Sequence, residues 1–114
     1  MDDRNLNDRK FVMVSSTASA VDPDGPTEFV YKEEDGIIWG DYVGDTVVHG
    51  HFVGTREADR IELTYIHQLK SGGRAGGRSA SRIETLPDGR LHLIEEFQFE
   101  GDDTKHVSVC AEVS

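Results

Sequence analysis

Glu95 and His67 are the two residues of this 114-residue chain whose chemistry would change most if they were turned away from water. A carboxylate out of water is costly unless hydrogen bonds replace its hydration. An imidazole titrates close enough to neutrality to take or give a proton under physiological conditions. Both lie in runs where every second side chain faces the same way, Tyr65-Ile66-His67 and Glu95-Glu96-Phe97-Gln98-Phe99. The same alternation in neighbouring runs selects Tyr31, Tyr42, Ser79 and Ser81 as companions on one inner face. A few convergent polar groups among rings can orient a small, partly apolar molecule. On that reading the contacts are Tyr31, Tyr42, Tyr65, His67, Ser79, Ser81, Glu95 and Phe97. A second reading makes His67 or Glu95 the general base of a small hydrolase or isomerase. A third is an internal network that satisfies itself and holds no ligand.

Other constellations carry less. His49-x-His51 has the spacing of two metal ligands on one strand face, but that face is expected to point outward beside Thr64 and Ile66. No carboxylate or thiol is evident to complete a site, so no metal is expected. The run Ser71-Gly72-Gly73-Arg74-Ala75-Gly76-Gly77-Arg78 has the glycines of a phosphate loop without its Lys-Ser/Thr ending or a following helix. Arg74, Arg78 and Arg82 form an outward basic stripe expected to pair across strands with Glu96. Ser15 and Ser16 form no recognisable triad with the distant histidines, and Cys110 is expected outward. No cofactor is called for.

The elements that must position these residues are strands. Runs rich in Val, Ile, Phe, Tyr and Thr over 10–18, 27–33, 37–43, 46–55, 60–69, 74–86, 90–100 and 104–113 alternate with turn residues. The separators are Asp22-Pro23-Asp24-Gly25-Pro26, Glu34-Asp35-Gly36, Gly44-Asp45, Ser71-Gly72-Gly73, Pro87-Asp88-Gly89 and Gly101-Asp102-Asp103. Residues 1–9 read as a polar N-terminal tail, and 10–114 as one domain without a linker or repeat. The fold class expected is all-β: a single antiparallel up-and-down meander closed into a small, about eight-stranded, lipocalin-like barrel. Closure removes the two open sheet edges.

A slip of one residue reverses every side chain, so register can be tested on paper. Pairing Leu86 with Arg90 sets Ile83 opposite Leu93, Ser81 opposite Glu95, Ser79 opposite Phe97 and Gly77 opposite Phe99. Arg78, Arg82, Glu84, His92, Glu96 and Gln98 then face outward. The hairpin around Arg56 to Asp59 is expected to pair Gly54 with Ile61, Phe52 with Leu63, Gly50 with Tyr65 and Val48 with His67. A three-residue loop at Gly44 to Thr46 sets Tyr42 opposite Val48 and Gly40 opposite Gly50. Val107, Val109 and Ala111 join the inner wall. For the first strand, Phe11 with Met13 and Val12 with Val14 are equally good inner pairs. Glycines on the inner face are expected to accept rings from neighbouring strands.

Charge sets the company the chain keeps. Asp plus Glu number 22 against 12 Lys plus Arg, a formal charge of −10. That disfavours nucleic acid and anionic membranes, which need a basic face. One cysteine allows no internal disulfide, and the charged start Met1 to Lys10 has no apolar run, so a reducing cytoplasm is the expected home. Trp39, Val43, Val53, Ile66 and Ile94 are expected on the outside. Contiguous, they would make a homodimer or partner surface, and a filled barrel would then act through it.

The set Phe29-x-Tyr31, Gly40-x-Tyr42, Gly50, Gly54, Tyr65-x-His67, Leu86-Pro87-Asp88-Gly89-Arg90 and Glu95-x-Phe97-x-Phe99 resembles a family of small bacterial proteins often given the name N-acetylglutamate synthase. Relatives tend to carry tryptophans where this chain has Phe97 and Phe99. The resemblance spans about 60% of the chain, from Phe29 to Phe99, and implies no catalytic residues. Acetyl transfer would need an acetyl-CoA site, and an all-strand chain this short offers no pyrophosphate-binding loop leading into a helix. In general plan the barrel is similar to lipocalins and avidins, which implies a fold and leaves the activity to the site.

Overall fold

The computed structural model describes residues 5–17 and 24–113. Eight strands follow one another: β1 (Arg9–Ser16), β2 (Glu28–Glu34), β3 (Ile37–Gly44), β4 (Val47–Glu57), β5 (Arg60–Leu69), β6 (Arg74–Thr85), β7 (Leu91–Phe99) and β8 (His106–Glu112). Each pairs antiparallel with its sequence neighbour, and β1 pairs with β8, so the meander closes into the expected barrel. Among the described residues no helix is long and apolar enough to cross a membrane. The expected turn at Asp22 to Pro26 lies partly outside the described residues, as do residues 1–4 of the tail and the end of the first expected strand.

Local chemistry fixes the hairpins. Asp35 and Gly36 both take positive φ, 52° and 79°, the two-residue turn whose twist matches the strands it joins. Gly89 at φ 89° closes the β6–β7 turn, with the Leu86 amide donating to the Arg90 carbonyl at 2.8 Å. That hairpin has the expected register: Ser81 opposite Glu95, Ser79 opposite Phe97, Gly77 opposite Phe99.

Three expectations are corrected. The β4–β5 register lies two residues away, with Gly54 opposite Leu63, Phe52 opposite Tyr65 and Gly50 opposite His67. The turn sits later because Ala58 adopts φ 57° where glycine would have announced it. In β3–β4, Tyr42 faces Gly50 and Gly40 faces Phe52, because a bulge absorbs Val48 and turns Val47 inward. In β8 the inward residues are Ser108 and Cys110, both buried, while Val107 is exposed. Strand β8 pairs Glu95 with Ser108 and Leu93 with Cys110. The segment between Phe99 and His106 leaves parity open, and Val107 and Val109 on one face look more like core than Ser108 and Cys110 on the other. In β1 it is Phe11 that is fully buried, with Met13 packed on the core and Val14 exposed.

The interior has two unequal halves. One is packed solid by Leu6, Phe11, Ile38, Ile61, Ile83, Leu91 and Leu93, all close to fully buried. Leu6 comes from the segment expected to be a polar tail. Its amide donates to the Glu33 carboxylate at 2.8 Å, and Arg56 pairs with that carboxylate at 2.9 Å, side chains 4% and 8% exposed. This lid holds Leu6 over the closed end, where burying a Leu or Phe side chain contributes about 1.5–3 kcal/mol. The other half is open.

Candidate functional site

The open half exists because of where its rings rest. Tyr42 lies flat over Gly50 on the next strand: a Cβ there would come within 2.3–2.6 Å of the Tyr42 ring. Phe52 lies over Gly40 in the same way. Rings laid on glycines hug the wall and leave the axis free, so the expected role of glycine as ring acceptor holds, though with different partners in β4. The space left is a cavity of about 120 Å3 lined by Met13, Phe29, Tyr42, Val47, Tyr65, His67, Glu95, Phe97 and Phe99, with Ser16, Thr27, Asp45 and Thr46 around it.

Glu95 stands where the packed and open halves meet. It is flanked in one row of the sheet by Ser81 on β6 and Ser108 on β8. The Ser108 hydroxyl donates to its carboxylate at 3.2 Å. The hydroxyls of Ser79 and Ser81 are buried without a hydrogen-bond partner, although both stand near enough to Glu95 to ease its charge. Burial pushes the Glu95 carboxyl above its ordinary value, and the serines pull it part of the way back. The accessible part of its side chain faces the cavity.

Burial also pushes up the phenols of Tyr31, Tyr42 and Tyr65 and the thiol of Cys110, and the Glu95 charge adds to all four. Burial is the larger cause in each case, and the Glu95 carboxylate is the charge these four groups share. Cys110, expected outward, is a buried, unreactive thiol beside it.

His67 lies across the cavity. Its Nδ1 is 2.7 Å from the Tyr42 hydroxyl, and burial lowers its pKa below 6.5. A neutral imidazole accepting the Tyr42 proton at Nδ1 carries its own proton on Nε2. Tyr65 donates to the Gln98 carbonyl over a long 3.4 Å and stacks parallel to His67 at 6.2 Å between centroids. Phe97 and Phe99 meet Tyr65 edge-on at 6.5 and 6.2 Å.

Five of the sequence-selected residues, Tyr42, Tyr65, His67, Glu95 and Phe97, line one cavity. Ser79 and Ser81 stand behind Glu95. Tyr31 lies deeper, packed on Phe11 at 5.3 Å and Phe52 at 4.6 Å, outside the lining. Glu95 and His67 share the cavity but hydrogen-bond to different partners. Sequence reasoning missed Ser108, whose signal, a buried serine directly across from Glu95, appears only once the register of β8 is known. The cross-strand pairing expected between the arginine stripe and Glu96 is replaced by Arg82 bonding Glu84 on its own strand at 2.6 Å.

No curated protein and no solved structure matches the chain. A family model does: the one described as avidin-like protein, over residues 4–113. A closed eight-stranded meander with one half of its interior held open agrees with that match, and the chain belongs to the avidin-like protein family.

Proposed function

We propose that the barrel binds a small, partly apolar molecule in its open half, with a hydrogen-bond donor of the ligand on Glu95. The observation that carries this reading is a carboxylate turned from bulk water, Glu95, lining an aromatic-walled cavity. A carboxylate turned from water needs hydrogen bonds in place of its hydration, and on the cavity side of Glu95 a ligand's donor can supply one. Phe29, Tyr65, Phe97 and Phe99 favour a flat ligand, and His67 offers a donor at Nε2 in the tautomer whose Nδ1 accepts from Tyr42.

Size narrows the choice. A cavity of about 120 Å3 is somewhat smaller than an engineered cavity of about 150 Å3 that encloses benzene. The ligand is therefore one small ring, or the head of a longer molecule whose remainder leaves through the mouth near Thr46 and Asp45. Biotin is a natural first probe for a chain of this family, and only part of it would fit inside. A reducing compartment such as the cytoplasm suits the free, buried Cys110.

The test is an NMR titration of the full chain with small rings that do or do not carry N–H donors. Donor-bearing rings should shift cavity resonances, and Glu95→Gln should weaken their binding by about 10–100-fold, the worth of a hydrogen bond to a charged group. Rings that bind the Glu95→Gln chain as well as the parent would sink the assignment.

A second reading rests on the outer surface. Trp39, Val53 and Ile66, 40%, 55% and 52% exposed, lie on three adjacent strands. We infer that this face pairs two copies. A chain that stays monomeric at high micromolar concentration in sedimentation equilibrium would contradict it.

A further inference from the structure

Three groups on the outside of β3 and β4 converge without any part in the barrel interior. Asp41 lies directly across from His51 in the β3–β4 ladder, and His49 shares the face of His51 two residues earlier. The carboxylate that the histidine pair lacked in sequence comes from the neighbouring strand. Asp41 Oδ1 is 2.5 Å from His51 Nδ1 and 3.7 Å from His49 Nε2, and the imidazole rings are 4.6 Å apart. One ligand atom from each of the three falls within 4.8 Å of the others.

We propose that Asp41, His49 and His51 bind a divalent transition-metal ion of the zinc class. Zinc holds imidazole nitrogen and carboxylate oxygen at about 2.0–2.2 Å in a tetrahedron, which separates neighbouring ligand atoms by about 3.3 Å. The two separations, 2.5 and 3.7 Å, bracket that value, so small side-chain rotations close the site around an ion. The backbone does the rest: a strand places residues two apart on one face, and the β3–β4 register supplies the third ligand. Two imidazoles and one carboxylate favour zinc, copper or nickel over magnesium or calcium, which prefer all-oxygen shells.

All three side chains are more than half exposed, so binding costs little desolvation. A formal charge of −10 draws cations to the surface. Three protein ligands leave a fourth position open to water, pointing away from the barrel beside Val53, Trp39 and Ile66. The competing account is an ordinary surface ion pair between Asp41 and His51, with His49 merely nearby.

Calorimetric titration of the untagged full chain with zinc separates the two. The proposal expects one zinc per chain, no comparable binding of magnesium, and a loss of about tenfold or more in affinity for each of Asp41→Asn, His49→Ala and His51→Ala. His92→Ala serves as a control that leaves affinity unchanged, and circular dichroism confirms the fold of each variant. Zinc should also move the ring resonances of His49 and His51 and leave those of His67 and His92 in place. Absence of saturable binding at millimolar zinc would overturn the proposal. So would binding that survives His49→Ala with His51→Ala, or that depends on His51 and Asp41 but is indifferent to His49.

Discussion

Replacing Glu95 with glutamine should make the empty protein more stable, by an amount that depends on pH. Glutamine keeps the size of the side chain and an acceptor for the Ser108 hydroxyl, and adds two donors that can face Ser79 and Ser81. It removes the charge. Burial raises the Glu95 pKa above its ordinary 4.5, so the folded chain holds this proton after the unfolded chain has lost it. Folding stability therefore falls as pH rises from the unfolded value through the folded one. Below about pH 4 both chains carry a neutral group at this position and differ little. As pH rises past the ordinary value, the buried group costs the folded parent stability, and buried charge that its serine neighbours only partly satisfy costs about 1–3 kcal/mol or more. The Glu95→Gln chain should recover that amount as pH rises above the ordinary carboxyl value, and each kcal/mol raises Tm by about 4 °C in a domain of this size. Paired urea denaturations from about pH 3.5 to 8 isolate the effect, because every other titrating group is common to both chains. A difference that is flat across pH, or a glutamine variant less stable at neutral pH, would refute the reasoning. The same substitution should weaken ligand binding, the usual opposition between stability and a binding site.

Other predictions test other parts. Burial lowers the His67 pKa below 6.5, so the folded chain resists a proton that the unfolded chain accepts; stability should drop as pH falls below 6.5, and that drop should vanish in His67→Gln, read by thermal melts. Gly50→Ala should push the Tyr42 ring off the wall into the cavity, abolishing small-ring binding in the NMR titration while the strands persist in circular dichroism. Arg56→Met would leave the Glu33 carboxylate buried beside the Leu6 amide with its charge partner gone, costing about 3–5 kcal/mol in chemical denaturation. Leu6→Ala should cost about 2–5 kcal/mol in the same assay, because the residue is completely buried.

How far the sequence reaches is visible residue by residue. The β6–β7 hairpin is legible to the individual pair because Pro87-Asp88-Gly89 is turn chemistry with glycine where a positive φ is needed, and it carries Ser81 and Glu95 with it. The β4–β5 hairpin is off by two because Ala58 takes a left-handed conformation that alanine does not advertise. An error of two keeps parity, so Phe52, Tyr65 and His67 still face inward. Strand β8 reverses because Val107 and Val109 look like core and are not. The loop before it can shift parity unseen, and that hides Ser108, whose hydroxyl is hydrogen-bonded to Glu95. Leu6 is a lone apolar residue in a charged segment, and only the buried Glu33–Arg56 pair explains why it docks. The cavity itself is a matter of rings lying on glycines, a property of packing that alternation alone does not contain.

The most direct measurement of the central claim is the native mass of the protein purified from its own cells, compared for the parent and Gly50→Ala chains and repeated after unfolding. A barrel that holds a ligand in its open half predicts a small bound mass on the parent, released on unfolding and absent from Gly50→Ala. A bare polypeptide mass for both chains, or the same bound mass on both, would contradict a ligand held in the cavity beneath Tyr42.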